Sequence, residues 1–145
     1  KDILYFEYER GNFYIKSIKK ISFKNAKLLD LTKKRAFITG SNRGIGAFIA
    51  KMLAQKGIEL ILHTSNKQKC DNLYKELKNL VKIEILEANL EYEDEIKNML
   101  KSLESFDIDI VYNNAGVSLF SNDFEVDYYT YVKTYKINTL APIMI

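Results

Sequence analysis

The segment Thr39-Gly40-Ser41-Asn42-Arg43-Gly44-Ile45-Gly46 stands between a short apolar run at 36–39 and a helix-like run at 45–56. These residue types at this spacing suit the gripping of a phosphate. Gly40 permits a tight turn, Gly44 lets the backbone come close to an anion, and Gly46 lets the helix pack tightly on the strand. The N–H groups at the helix start, together with the positive end of its dipole, then point at the bound group. Farther along, Asn113-Asn114-Ala115-Gly116 closes another apolar run.

Other reactive residues are few. His63 is the single histidine, which excludes a multi-histidine metal site, so no metal is expected, and it speaks against a Ser-His-Asp hydrolase triad. Cys70 is the single cysteine. It excludes an intrachain disulfide, suits a reducing, cytoplasmic compartment, and at helical spacing from Leu73 and Leu77 reads as core filler rather than nucleophile.

The elements that must position the glycine segment alternate as strand and helix from residue 34 onward, which predicts an α/β domain with a parallel sheet and right-handed crossovers. The first strand covers 35–39. Its helix is expected to turn Ile45, Ile49, Met52 and Leu53 to one inner side and to end at Gly57, a natural left-handed C′ residue. A nearly continuous apolar strand at 59–63 suits a position covered on both faces. A helix at about 67–80, a strand at 81–88 and a helix at about 92–106, with Ile96, Met99, Leu100 and Leu103 inward, come next. A strand at 108–113 and a helix starting near Val126 complete the series. Ahead of it, 3–8 and 13–18 are rich in aromatic and β-branched residues and flank Glu9-Arg10-Gly11-Asn12, which predicts an extra N-terminal β-hairpin.

A length of 145 residues suffices for one core. Two parts are expected, an N-terminal extension at 1–30 and a nucleotide-binding domain at 31–145, with a join around 24–32. The chain starts at Lys1 and stops on an apolar run after Pro142, so both ends read as cut from something longer. No membrane-length apolar stretch occurs. The net charge of +3 hides an asymmetry, because residues 1–35 carry +6 and the remainder −3. Those bases could form an arm for nucleic acid, anionic lipid or an acidic carrier protein. Their interleaving with Ile15, Ile18, Ile21 and Phe23 suits a solvated strand surface better, so neither a nucleic-acid nor a membrane partner is expected.

With the glycine segment and Asn113-Asn114-Ala115-Gly116 in this order, the chain from Leu31 onward resembles the short-chain dehydrogenase/reductase superfamily in its common short form. Residues 1–30 match nothing in it. The resemblance implies a Rossmann-type doubly wound parallel sheet with strand order 3-2-1-4, incomplete on one side. It implies that Thr39, Gly40, Ser41, Asn42, Arg43, Gly44, Ile45 and Gly46 surround the cofactor phosphates. Asn89 and Leu90 would meet adenine, with Asn standing where the family usually has Asp. The backbone of Asn114, Ala115 and Gly116 would line the ribose, while Asn113 would tie neighbouring strands. Tyr112 departs from the small apolar residue usual there, and a buried hydroxyl at that position would need a partner.

Cofactor choice is argued at 63–66, where an acid would accept hydrogen bonds from an NAD ribose and repel a 2′-phosphate. The residues present, His63-Thr64-Ser65-Asn66, include no acid. Arg43 matches the base of NADP-preferring members, and Ser41, Asn42 and Ser65 match residues that contact the adenosine phosphate there. NADP (NADPH) is therefore expected over NAD.

In the family a Tyr-x-x-x-Lys pair, a serine and an asparagine carry hydride transfer between nicotinamide and a carbonyl or alcohol. Of these, only the asparagine has a match, Asn138, which would anchor a water of the proton relay. Tyr129 and Lys133 have the spacing of the catalytic pair but precede Asn138, whereas the family's pair follows it, so they are read as a chance match. The chain is thus expected to be the cofactor-binding first half of an NADP-dependent reductase of small or carrier-linked keto substrates. That half would be inactive by itself, and its parent protein would be a homo-oligomer. The alternative is a nucleotide-binding or structural module without catalysis.

Overall fold

A computed structural model describes residues 3–9, 12–18, 33–118 and 127–145. The join expected at 24–32 and the helix start near Val126 lie outside the described residues. By contacts the chain divides into two compact units, Lys1–Asp30 and Leu31–Ile145.

In the first unit, β1 (Ile3–Glu9) pairs antiparallel with β2 (Asn12–Ile18), in a register running from Ile3 opposite Ile18 to Glu9 opposite Asn12. The β-branched and aromatic composition of both segments favours this pairing.

The second unit carries β3 (Arg35–Ile38), α1 (Gly44–Ala54), β4 (Glu59–Thr64), α2 (Asp71–Leu77), β5 (Ile83–Glu87), α3 (Glu93–Leu103), β6 (Ile110–Tyr112), α4 (Tyr128–Tyr135) and α5 (Ala141–Met144). A 3-10 turn at Lys67–Cys70 leads into α2, and a π-helical turn at Lys136–Leu140 joins α4 to α5. All strand pairs of this unit are parallel and the order is β5-β4-β3-β6. Counted within the unit this is 3-2-1-4, as expected.

Alternation along the strands builds the two layers. Ala36, Ile38, Leu60 and Leu62 face a cluster with Ala50, Leu53 and Ala54 of α1 and Leu73 and Leu77 of α2. Phe37 and Ile61 point the other way, into a cluster with Ile96, Met99 and Leu103 of α3 and with Ile137 and Ala141. Both faces of β3 and β4 are therefore dry, which is why their sequences are almost continuously apolar.

The face of α1 corrects the sequence expectation. Gly46, Ala50, Leu53 and Ala54 are buried, while Ile45 is 73% and Met52 44% exposed. The cause is the glycine: a Cβ on Gly46 would lie 2.4 Å from the Gly40 carbonyl oxygen and 2.6 Å from Nδ2 of Asn114. Contact that close sets the rotation of the helix, and the small residues on the Gly46 side go inward. After Ala54 the chain turns through Gly57 at φ +75°, with the Ile58 N–H bonded back to the Leu53 carbonyl. This is the left-handed helix stop read from the sequence.

Candidate functional site

Because β4 and β6 leave β3 on opposite sides, the C-terminal ends of β3 and β6 border a crevice at the switch point of the sheet, where open α/β sheets hold ligands. A cleft of about 970 Å³ opens there. Its floor and walls come from the glycine segment, the end of β4, the loop after β5 and the loop after β6, with Lys133 and Ile137 at one side.

Each glycine of the segment has its own reason. Gly40, at φ +62°, would bring a Cβ within 2.8 Å of the Ala115 Cα, so it serves both the turn and the close passage of the loop after β6. Gly44, at φ +55°, has nothing within 4 Å of the Cβ position. Left-handed backbone beside open space is the arrangement that lets an anion approach the main chain. Gly46 is packed against the loop itself, and the atoms it touches are the Gly40 carbonyl and the Asn114 amide rather than β3.

The N-terminus of α1 is bare. Arg43 at the N-cap, in extended backbone, makes no side-chain cap, and no acid occupies the first turn. By contrast Asp127 caps α4 by accepting from the Thr130 N–H at 2.9 Å. The opening turn of α1 thus keeps its donors and the positive end of its dipole for whatever occupies the cleft. Arg43, Lys69 and Lys133 line the cleft, and no carboxylate does among the described residues.

Asn42, Arg43, Gly44, Ile45, Ser65, Asn89, Leu90, Asn114, Ala115 and Gly116 all reach the cleft, as does Gly40. Thr39, Ser41 and Gly46 do not; they stand behind its wall and are buried. The Thr39 hydroxyl accepts from the N–H groups of Asn114 and Ala115, both at 2.9 Å, and lies 3.3 Å from the Tyr112 carbonyl, to which it donates. Ser41 gives both its N–H, at 3.0 Å, and its hydroxyl, at 3.1 Å, to the His63 carbonyl. The Ser41 side chain is thereby engaged behind the wall rather than turned to the cleft.

Strand tying also falls to a different residue than expected. Asn114 donates its side-chain amide to the carbonyls of Thr39, at 2.9 Å, and Gly40, at 3.1 Å, whereas Asn113 reaches the Pro142 carbonyl at 3.4 Å. Asn89 spends its side-chain oxygen on the Glu91 N–H at 3.1 Å. The end it keeps for a ligand is the amide nitrogen, so the acceptor foreseen for adenine is engaged locally. Tyr112 is only half-buried, packed at the margin of the core, and its hydroxyl needs no internal partner.

Asn138 is exposed on the π-helical turn and is committed to the loop after β6, accepting from the Val117 N–H and donating to the Val117 carbonyl. The side chain serves the wall of the cleft rather than standing free for a water relay. Tyr129 and Lys133 meet on a different group, the buried carboxylate of Glu91, at 2.5 Å from the hydroxyl and 3.1 Å from the ammonium. The Tyr129 hydrogen bond, followed by the Lys133 ammonium, holds the Glu91 carboxyl below the usual carboxylate range. The same hydrogen bond raises the Tyr129 phenol. A proton-transferring tyrosine needs the opposite shift, so this pair is a structural anchor of α4.

Sequence reasoning missed His63, Lys69, Ala88, Val117, Lys133 and Ile137 as cleft residues. Lys69 lies in the 3-10 turn that follows Ser65, and Ile137 adjoins Asn138 in sequence. His63 was read only for what it is not. Burial pushes its imidazole down from the ordinary value, against a smaller opposing effect of the Ala88 carbonyl. Cys70 is buried, and its thiol is pushed up by burial with smaller lowering contacts from Ser41 and Thr64. It stays protonated and inert.

Residues 34–145 match the family model described as short chain dehydrogenase. Among curated proteins the chain is similar to a 3-oxoacyl-[acyl-carrier-protein] reductase of Rickettsia prowazekii, 35% identical over 91 residues, covering 63% of this chain and 36% of that protein. Nodulation protein G of a Rhizobium species is 36% identical over 93 residues, covering 63% and 37%. The chain spans little more than a third of the length of these relatives. Among solved structures it is similar to a short-chain dehydrogenase from Sphingobium yanoikuyae in complex with NADPH, with TM-score 0.71 and 27% identity over 77% of this chain and 45% of that one. An alcohol dehydrogenase from Thermococcus sibiricus complexed with 5-hydroxy-NADP gives TM-score 0.70 and 28% identity, over 77% and 49%.

Proposed function

The chain belongs to the short-chain dehydrogenase family, and on that premise we propose that it is the NADP-binding part of an oxidoreductase acting on a carbonyl or alcohol substrate. The observation that carries this reading is the cleft at the sheet's switch point, with a bare helix N-terminus, the cations Arg43 and Lys69 and no carboxylate on its wall among the described residues. Such a wall favours a ligand of several negative charges. The space at Gly44 fits a pyrophosphate against the main chain. Arg43, Ser65 and Lys69, which line the same cleft, would supply the charge and hydroxyl that a 2′-phosphate needs, and no acid among the described residues lines it to bind a 2′-hydroxyl instead. The NADPH and 5-hydroxy-NADP complexes of the similar structures support this choice.

NADPH, when bound, supplies a hydride. This chain's own residues bind and orient. Asn89 and Leu90 of the loop after β5, and Asn114, Ala115, Gly116 and Val117 of the loop after β6, line the cleft. Asn138 holds the latter loop through Val117. Proton transfer to the substrate is assigned to groups other than Tyr129 and Lys133, since these two are committed to Glu91. The reductase relative that is named for a carrier-bound oxoacyl group supports a small or carrier-linked keto substrate. The unpaired cysteine fits the cytoplasm, and the exposed Tyr131, Tyr135 and Ile143 of the terminal helices fit a homo-oligomer.

The test is fluorescence titration of the protein with NADPH and NADH. NADPH is expected to bind at least about tenfold more tightly, as a lost charge-assisted contact would require. Equal affinities would overturn the NADP assignment, and no binding of either would overturn the nucleotide reading.

A further inference from the structure

His63 sits 2% exposed at the end of β4, and its ring is fixed at both nitrogens. Nδ1 lies 3.1 Å from the Gly40 nitrogen, whose N–H can only donate, so Nδ1 is the bare acceptor. Nε2 therefore carries the ring proton and donates to the Ala88 carbonyl at 2.9 Å. The His63 carbonyl meanwhile takes both donors of Ser41. One residue thus joins Gly40 and Ser41 of the glycine segment to the end of β4 and the loop after β5, three of the four parts of the cleft wall.

We propose that His63 is a positioning residue of the dinucleotide site: its neutral, Nε2-protonated imidazole latches the Gly40 N–H, and protonation of the ring opens that latch and weakens binding in acid. This inference rests on the nucleotide reading above. Its physical basis is that an imidazolium has a proton on both nitrogens, so Nδ1–H would face the Gly40 N–H, donor against donor. Gly40 could not yield without disturbing Ala115 and Gly46, which pack so closely on it that neither contact has room for a Cβ.

The surroundings hold the ring neutral at ordinary pH. Phe37 of β3 packs against it in a T-shaped arrangement, with ring centroids 6.5 Å apart. The glycine segment contributes Arg43 to the same cleft, the turn before α2 contributes Lys69, and α4 contributes Lys133. The titratable thiol of Cys70 stays protonated. No carboxylate lines the cleft among the described residues to favour an imidazolium.

Three variants and one spectroscopic readout test the latch. His63→Asn places an amide oxygen near Nδ1 that accepts from Gly40 and does not titrate; His63→Leu accepts nothing. NADPH affinity of the native protein is expected to fall more steeply than that of His63→Asn, by up to about tenfold per pH unit, below the pH at which the ring of the ligand-free protein protonates. The 2′-phosphate titrates in the same range but affects both equally. His63→Leu is expected to bind weakly at every pH with its circular dichroism spectrum unchanged, and the control Lys56→Gln, at an exposed position, to behave as native. Parallel pH profiles for native and His63→Asn protein, or native affinity in His63→Leu, would overturn the proposal.

Nitrogen NMR of the imidazole, the single histidine of the sequence, separates this inference from the nucleotide reading. In ligand-free protein it should show the Nε2–H tautomer near neutrality, and the Gly40 amide should lose hydrogen-exchange protection as the ring protonates. If these appear while NADPH fails to bind, the latch stands and the cofactor assignment falls. If NADPH binds while the ring shows the other tautomer, the latch falls alone.

Discussion

Asn138 grips the backbone of Val117 with both ends of its amide, Oδ1 accepting from the N–H and Nδ2 donating to the carbonyl, each at 2.8 Å. The pair fastens the π-helical turn after α4 to the loop after β6. That loop is a wall of the cleft, so a residue outside the sheet governs the shape of the site.

The pairing makes the two ends of Asn138 unequal to any acid. Asn138→Ala removes two exposed hydrogen bonds and is expected to cost about 1 kcal/mol of stability and to weaken NADPH binding several-fold. Asn138→Asp keeps one acceptor but sets a carboxylate oxygen against the Val117 carbonyl, so it should do worse than Ala at neutral pH. Thermal denaturation of both variants checks the order, and an Asp variant as stable as native protein would contradict the pairing.

Arg43 is exposed and makes no cap, so its removal should leave stability unchanged. Arg43→Ala is expected to cost about 1.5–3 kcal/mol of NADPH affinity and to leave NADH affinity nearly untouched. Equal losses for the two cofactors would assign Arg43 to the pyrophosphate instead of the 2′-phosphate.

Gly44 and Gly46 should fail in different ways. Gly46→Ala would drive a Cβ to 2.4 Å from the Gly40 oxygen, and overpacking of this kind costs about 1–3 kcal/mol. Gly44→Ala meets open space, so only the left-handed backbone opposes it, at about 1–2 kcal/mol. Gly44→Val should keep the fold, as read by circular dichroism, and abolish NADPH binding because its branches fill the approach to the main chain. Undiminished binding by that variant would remove the segment from the site.

Glu91 should give the protein an acid-sensitive component of stability. A carboxyl held below its unfolded pKa, about 4.3 for Glu, adds stability above that value, and the gain is lost as pH falls through the lowered folded pKa. Melting temperatures of native protein and Glu91→Gln are therefore expected to differ most near neutrality and to converge in acid. Tyr129→Phe should lower the melting temperature while leaving NADPH affinity unchanged. Loss of NADPH binding in that variant would show that Tyr129 serves more than the anchor on Glu91.

What the sequence determined is the part encoded in local pattern. The alternation of strand and helix, the apolar continuity of β4 and the T-G-x-x-x-G-x-G spacing each follow from backbone period or from the steric freedom of glycine, which need no knowledge of distant residues. Hence the alternating parallel architecture and the helix stop at Gly57 were legible from pattern, while the 3-2-1-4 order was what the family resemblance implied. Tertiary structure alone decided which polar atoms remained for a ligand. Ser41, Thr39 and the Asn89 oxygen look available in the sequence, yet each is claimed by a backbone group 2 to 76 residues away. The inner face of α1 was decided the same way, by the contact of Gly46 with Gly40 and Asn114. His63 shows the limit most clearly, because only the fold brings Gly40 and Ala88 to its two nitrogens and so determines which one carries the proton.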